Sequence, residues 1–127
     1  MSVLDTFSAF NFNEGVPYAS ITNNGITFNK SVVMKLDYPE YVVLLIDEES
    51  KRIAIQCSDA SVQNATTFYK AKKSNVISVR WNGRDLLNTI QGMMEWDLTA
   101  DAFKVDGILL KEENAMLFDL KNATKLK

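Results

Sequence analysis

The chain has 127 residues, of which 46% are hydrophobic and 24% charged, and its formal net charge is −2. This length and composition predict a single soluble globular domain, because disordered chains are poorer in apolar residues and more strongly charged. The chain has no histidine and one cysteine, Cys57. Internal disulfides, imidazole-based catalytic triads, histidine-containing metal sites and four-cysteine zinc sites are therefore excluded.

Other sequence signals for membranes, secretion and phosphate binding are missing as well. No apolar run approaches the roughly 20 residues of a membrane-spanning helix, and no basic region precedes an apolar segment at the N-terminus. We therefore expect a cytoplasmic protein with no membrane partner. The glycine-rich motifs that hold phosphates are also absent. Together these observations favour a non-enzymatic protein that uses no cofactor and no metal.

Residues 1–24 form a lead-in that is rich in Asn, Ser and Phe, and its Gly15 and Pro17 disfavour regular structure. The aromatic side chains of this segment are too many for a freely solvated tail. We expect some of them to cover the core of the main body. They are Phe7, Phe10, Phe12 and Tyr18.

The residues after the lead-in predict a strand, a helix and a hairpin, in that order. Alternating apolar and polar residues predict a strand at 25–28. Asn29 can cap a short helix that ends at Leu36. The β-branched and aliphatic run 41–46 predicts a buried strand, which pairs with 53–55 across a polar turn.

After a connecting loop, the same order of elements follows in the second half. Residues 76–79 are predicted to form a strand, and a helix then begins at Asn82 or Gly83. The apolar residues of this helix have the spacing of one helical face. Two further strands, at 103–110 and 115–120, are predicted to form a second hairpin.

These elements predict an α+β protein in which two strand–helix–hairpin repeats pack as one compact, β-rich body with short helices. The whole chain, 1–127, is expected to be one domain, with the first repeat at 25–57 and the second at 76–120. The hairpin turns 45–50 and 109–114 both contain two adjacent glutamates. The shared order of elements favours a tandem duplication.

Four segments of the first repeat form a recognisable pattern: Gly25-Ile26-Thr27-Phe28-Asn29-Lys30, Val32-Val33-Met34-Lys35-Leu36, Val42-Val43-Leu44-Leu45-Ile46 and Arg52-Ile53-Ala54-Ile55. This pattern resembles the AbrB/SpoVT-type proteins, and the whole chain resembles small bacterial or phage proteins without an assigned activity. The AbrB resemblance implies a swapped-hairpin barrel built from two halves, here within one chain as in the MraZ-like tandem form. It also implies a transcriptional regulator that binds DNA.

Two positions depart from the usual pattern of that family. Asn29 stands where the family has a proline after the first strand, and Asp37 stands where it has a glycine after the helix. The first half also has few basic residues for a surface that faces DNA. They are Lys30, Lys35, Lys51 and Arg52.

Basic residues are concentrated in the middle of the chain, where residues 51–84 carry seven basic side chains and one acidic. The predicted connecting loop, 59–73, and the strand after it place aromatic side chains among these cations. Because cations bind phosphates and aromatic rings stack on bases, we expect a nucleic-acid-binding site here. Its residues are Lys70, Lys72, Lys73, Arg80, Trp81 and Arg84.

The sequence also supports other interpretations of the same segments. The basic segment can be a solvated loop with Trp81 packed in the core. The sequence isoelectric point of about 5.1 favours a protein–protein interaction or assembly module with no nucleic-acid role. A homodimer is expected if the apolar strand 115–120 lies at a sheet edge, where it can pair with a second copy.

The residues left for catalysis carry only a weak signal. The adjacent glutamates in the two hairpin turns are expected to diverge into solvent, with neither charge strongly perturbed. Cys57 has no histidine to activate it, so we expect a small buried thiol. These expectations again favour a protein that is not an enzyme.

Overall fold

The computed structural model of the chain describes residues 3–7, 15–70 and 77–126. Within these ranges the chain forms nine strands and two α-helices, with three short 3-10 helices. The strands are β1 (Tyr18–Thr22), β2 (Gly25–Phe28), β3 (Tyr41–Asp47), β4 (Arg52–Ser58), β5 (Thr66–Thr67), β6 (Val79–Trp81), β7 (Ala102–Leu110), β8 (Ala115–Asp119) and β9 (Thr124–Leu126). The α-helices are α1 (Lys30–Lys35) and α2 (Arg84–Met94), and the 3-10 helices are Val3–Thr6, Lys111–Glu113 and Leu120–Asn122.

The strands form one antiparallel sheet in the order β5-β3-β4-β8-β7-β1-β2-β6, with β9 beside β7. The long strand β7 joins two parts of this sheet: its first half pairs with β1 and β9, and its second half pairs with β8. The strand 25–28, both hairpins and the helix after Gly83 are confirmed as predicted. The fold is therefore α+β and rich in β-structure.

Strand β7 passes from one part of the sheet to the other at Gly107. A Cβ atom at this position would lie 2.8 Å from Sδ of Met116 and 2.9 Å from Cε1 of Phe118. Both of these side chains are fully buried in the core. Glycine is therefore the residue that allows them to pack directly against the backbone of β7.

The inward faces of both parts of the sheet share one core. The ring of Phe28 lies within this core, and its centroid is 5.4 Å from that of Phe68, 5.1 Å from that of Trp81 and 5.7 Å from that of Phe118. Helix α2 covers the core with its apolar face, on which Leu87 is fully buried. The aromatic cluster thus connects β2 to residues from the middle and from the C-terminal part of the chain.

Asn29 is confirmed as the cap of α1, and it also holds the start of β1. Its Oδ1 accepts hydrogen bonds from the backbone N–H of Val32 at 3.2 Å and of Tyr18 at 3.0 Å. Its Nδ2 donates to the carbonyl of Val16 at 2.8 Å. One side chain therefore fixes both the first turn of the helix and the chain that leads into β1.

Replacing Asn29 with alanine is expected to lower the free energy of unfolding by about 2–3 kcal/mol, because a helix cap and two further hydrogen bonds are lost together. Urea unfolding followed by circular dichroism measures this change. Asn88→Ala in α2 is the matched control, since that exposed side chain has only a 3.5 Å contact with Gln91. Equal losses for the two variants would contradict the expected role of Asn29.

The prediction that residues 1–24 form only an irregular lead-in is wrong. This segment contains β1, which lies between β2 and β7 inside the sheet. Ala19 and Ile21 of β1 are fully buried. The expectation that aromatic side chains of this segment cover the core does not hold for Phe7, which is 69% exposed. Phe10 and Phe12 lie outside the described residues.

The connection between the two halves also differs from its prediction. The loop predicted at 59–73 contains the short strand β5, and Phe68 after it is buried in the core. The strand predicted at 76–79 is β6, which begins at Val79, later than predicted. Residues 71–76 lie outside the described part of the chain.

The prediction that the run 41–46 is buried is wrong at its end, because Leu45 and Ile46 of β3 are exposed. Edge pairing of the strand 115–120 was expected only if that strand lay at a sheet edge. The condition is not met, because β8 is paired with β4 on one side and with β7 on the other. Edge pairing of this strand with a second copy is therefore ruled out.

Candidate functional site

The outward side of the sheet carries an unusual surface over β3, β4, β8 and β7. The strand register aligns one row of four apolar residues: Leu45, Ala54, Leu117 and Ile108. The next row contains Val43, Gln56, Ala115 and Leu110. We call these eight outward residues the apolar face. Their neighbours along each strand point to the other side of the sheet, and most of them belong to the core or pack against it.

The apolar face is open to solvent. Ile108 is 53% exposed and Leu45 is 46% exposed, while the other large side chains of the two rows are half-buried. The first row alone extends about 14 Å across four strands. An antiparallel sheet with one face on the core normally has polar residues on its other face. A contiguous apolar surface on that side is typical of a protein interaction site.

Charged residues border one end of the apolar face. The register aligns Asp47, Arg52 and Asp119 in the row beyond Leu45 and Leu117. Arg52 lies 3.4 Å from Asp47 in an ion pair. The hydroxyl and backbone N–H of Ser50, with a smaller contribution from Arg52, lower the pKa of Asp47 below its usual value. These contacts stabilise the charged form of Asp47 at the border of the face.

The other part of the sheet has a polar outward surface. Five residues form one row across β9, β7, β1, β2 and β6, and we call this row the polar face: Thr124, Lys104, Ser20, Thr27 and Arg80. Nε of Arg80 donates to Oγ1 of Thr27 at 3.1 Å, and Nζ of Lys104 lies 4.3 Å from the ring centroid of Tyr18. A cleft of 340 Å³ beside Lys104 is also lined by Asp106 and Asp119.

The two arginines predicted to bind nucleic acid lie near this polar face. Arg80 is exposed on β6, and Arg84 is the first residue of α2. The guanidinium of Arg84 donates to Oδ1 and to the backbone carbonyl of Asn23, both at 3.1 Å. No ion pair joins Arg80 or Arg84 to a carboxylate of the described ranges. Both charges are thus open to an anion.

Trp81, which was predicted to stack on bases, faces the opposite way. Its ring packs edge-on against Phe28 and Phe68 in the core. Its Nε1 donates to the carbonyl of Thr67 at 3.3 Å. This hydrogen bond connects β6 to β5, which are the first and last strands in the strand order. A pocket of 420 Å³ between Trp81 and Leu44 adjoins this contact. The structure therefore favours the interpretation of Trp81 as a core residue.

The predicted lysines do not join the arginines in the described structure. Lys70 is exposed and lines a shallow pocket of 500 Å³ together with Tyr38, Glu40 and Tyr69. This pocket lies beside the connection between α1 and β3. The other two predicted residues, Lys72 and Lys73, lie outside the described residues. Among the predicted cations, Arg80 and Arg84 are thus the two that contact the hairpin of β1 and β2, Arg80 through Thr27 and Arg84 through Asn23.

The groups considered for catalysis do not converge in the described ranges. The glutamates of both hairpin turns are exposed. Cys57 is half-buried, less than predicted, and desolvation raises the pKa of its thiol above the usual value. Its Sγ lies 3.6 Å from the carbonyl of Leu36. Among the described residues no three side chains of the metal-ligating types come together, and no helix has the length and apolarity to cross a membrane.

Comparison with family models, with curated proteins and with solved structures gives no match for this chain. The resemblance to AbrB/SpoVT-type proteins therefore rests on the sequence pattern alone and stays a prediction. The function has to be inferred from the surfaces that the fold exposes.

The apolar face was missing from the sites predicted by sequence. A signal for it exists, because residues 41–46 and 108–110 are apolar at every position instead of at alternate positions. The run 41–46 was interpreted as a buried strand, and 108–110 only as the end of a strand. In the fold, the core packs against only one side of these strands. Their other side forms the apolar face.

Proposed function

We propose that the chain is a non-enzymatic binding protein that contacts another protein through its apolar face. The observation that carries this proposal is the continuous row from Leu45 to Ile108 on the outward side of a four-stranded sheet. Burial of such a surface is favourable by about 25 cal/mol per Å² of apolar area. Exposure of this surface to water does not stabilise the isolated chain, whereas its burial against a partner is favourable.

The shape and the border of the apolar face support a protein as its partner. Small ligands are bound in concave sites that enclose most of their surface. A face of paired strands is open, and it presents its side chains on one broad surface. Arg52 and Asp119 at its border supply the polar rim that protein interfaces usually have.

Photo-cross-linking tests this proposal directly. A benzophenone amino acid at position 108 is expected to yield a cross-linked protein product when the chain is expressed in its native cells. The same group at position 62 is the matched control, because Val62 is 45% exposed but lies in the loop after β4. No product at position 108, or equal products at both positions, would contradict the proposal.

DNA binding is a second candidate, and the open charges of Arg80 and Arg84 favour it. Arg80 and Lys104 lie on the polar face, and Arg84 contacts the turn between β1 and β2. The pattern that resembles AbrB-like regulators gives further support. Tight binding to duplex DNA usually involves about 6–10 phosphate contacts, so we expect this surface to bind weakly on its own.

If the polar face binds DNA, the double variant Arg80→Ala/Arg84→Ala is expected to weaken binding at least about tenfold. The salt slope should fall by roughly 2, one for each lost phosphate contact. Fluorescence anisotropy with random duplex at low and near-physiological salt measures both quantities. Lys30→Ala/Lys111→Ala is the control, because both side chains are exposed and lie on other elements, α1 and the 3-10 helix after β7. Unchanged affinity and slope in the double variant would rule out this site.

We also propose that the two halves arose by tandem duplication. The order strand, helix, hairpin occurs as β2-α1-β3-β4 and again as β6-α2-β7-β8. Equivalent elements of the two halves pair with each other, since β2 pairs with β6 and β4 pairs with β8. This symmetry of pairing supports the duplication. Strands β1, β5 and β9 lie outside the repeated unit.

A further inference from the structure

We infer that the partner on the apolar face is a second copy of this chain. The two copies pack face to face about a two-fold axis that runs parallel to the strands, between β4 and β8. This inference rests on the proposed function of the apolar face and specifies its partner. Two-fold dimers are the commonest soluble oligomers, and they require a surface that is complementary to itself.

This axis places each strand over a different strand of the partner. Strand β4 lies over the partner's β8, and β3 lies over the partner's β7. In the central row, Ala54 then faces the partner's Leu117, so a small side chain meets a large one. Leu45 faces the partner's Ile108, which joins the two most exposed side chains of the face. Each contact occurs twice, and large and small side chains interdigitate as they do between packed sheets.

The same axis also matches the charges at the border. Arg52 of one copy faces the partner's Asp119, and the reverse contact occurs on the other side of the axis. Packed sheets are about 10 Å apart, a gap suited to a long arginine side chain that meets an aspartate. Within one chain Arg52 already pairs with Asp47 at 3.4 Å and Asp119 with Lys121 at 3.9 Å. Solvent-accessible ion pairs of this kind are weak, so they can be exchanged for the contact across the axis.

The other in-plane axis, perpendicular to the strands, gives poor complementarity. It places Ala54 over the partner's Ala54 and leaves a gap at the centre. It also places Arg52 over the partner's Gln56, so that the charge of Arg52 meets a neutral amide. The axis parallel to the strands is therefore the favoured one. The register also brings Asp47 near the partner's Asp106, a like-charge approach at the outer corner, where both residues are exposed.

Charge reversal with mixing tests this arrangement. Arg52→Asp and Asp119→Arg each create two like-charge contacts across the axis, so each variant alone is expected to dimerise at least about tenfold more weakly than the wild type. An equimolar mixture is expected to form a heterodimer, because each Asp of one variant then faces an Arg of the other. Sedimentation velocity measures all three samples.

The mixing result cannot come from contacts within one chain. Positions 52 and 119 are also cross-strand neighbours, and each variant places two like charges there both alone and in the mixture. Circular dichroism verifies that each variant is folded. Ile108→Lys, at an exposed position, provides a second test that avoids the charged pair and is expected to abolish the dimer.

Three outcomes would overturn the inference. A wild type that stays monomeric at all concentrations would rule out the second copy, while a cross-link from position 108 to a different protein would still support the proposed function. A dimer that survives Ile108→Lys would indicate another surface, such as the edge of β3, where β5 pairs only with Tyr41 and Val42. Variants that stay monomeric when mixed would rule out this axis.

Discussion

Replacing Phe28 with alanine is expected to lower the free energy of unfolding by about 4 kcal/mol. The ring is fully buried and contacts three other aromatic rings, those of Phe68, Trp81 and Phe118. These partners belong to separate segments of the chain, so they cannot all move together to fill the cavity. The variant therefore loses both the transfer free energy of the ring and the contacts of its neighbours.

Urea unfolding and thermal unfolding measure this loss, which corresponds to a decrease of about 15 °C in Tm for a chain of this size. The matched control is Phe7→Ala, because Phe7 is exposed to solvent. That substitution is expected to change the free energy by less than about 0.5 kcal/mol. Similar effects at the two positions would show that Phe28 is not at the centre of the core.

Replacing Gly25 with alanine is expected to lower the free energy of unfolding by about 3 kcal/mol or more. Gly25 has a φ of 139°, a conformation that side chains rarely adopt. A Cβ atom there would also lie 2.5 Å from the backbone carbonyl oxygen of Trp81. Because this neighbour is backbone in the paired strand β6, relief of the clash would disturb the pairing of β2 with β6.

Gly92 provides the control for this second prediction. It lies in α2, and a Cβ added to it meets nothing within 4 Å. Gly92→Ala is expected to raise the free energy of unfolding by about 0.5–1 kcal/mol, since alanine is the better helix former. The two glycine substitutions should thus change stability in opposite directions. Changes of the same sign in urea unfolding would contradict this account of Gly25.

The elements that the sequence predicts well are those with strong local signals. Asn29 marks the start of α1 through its capping side chain. The polar turn after Asp47 separates two apolar runs, and this is enough to predict the first hairpin. The spacing of apolar residues in α2 depends only on the period of the helix itself. Such features need no knowledge of distant partners.

The missed strands depend on pairing between distant residues. β1 has only five residues, and its place in the sheet comes from its pairing with β2 and with the distant β7. β9 has three residues and pairs with the first half of β7. Short segments of this kind carry little periodicity of their own. Their conformation is set by the strands beside them.

The candidate nucleic-acid site was only partly predictable for a related reason. Arg80 and Trp81 are adjacent in sequence, and both were included in the predicted nucleic-acid-binding site. In strand β6 adjacent side chains point to opposite sides of the sheet. Arg80 therefore lies on the polar face, while Trp81 packs into the core. A strand predicted at 79–81 instead of 76–79 would have separated them.

The apolar face shows that a continuous apolar run does not determine whether one side or both sides of a strand are buried. Residues 41–46 are apolar on both sides of the strand, which is equally compatible with two buried sides and with one buried side and one interface. The choice depends on whether another element of the chain covers the second side. In this fold no described element covers the row from Leu45 to Ile108, and we propose that a second copy does.

The molar mass of the wild-type chain in solution, measured by light scattering over a range of concentrations, tests this central claim most directly. We expect the mass of the wild type to rise from 14.3 kDa towards twice that value, and the mass of the Ile108→Lys variant to stay at 14.3 kDa. Val62→Lys should behave like the wild type. A wild type and an Ile108→Lys variant with the same mass at every concentration would contradict the claim.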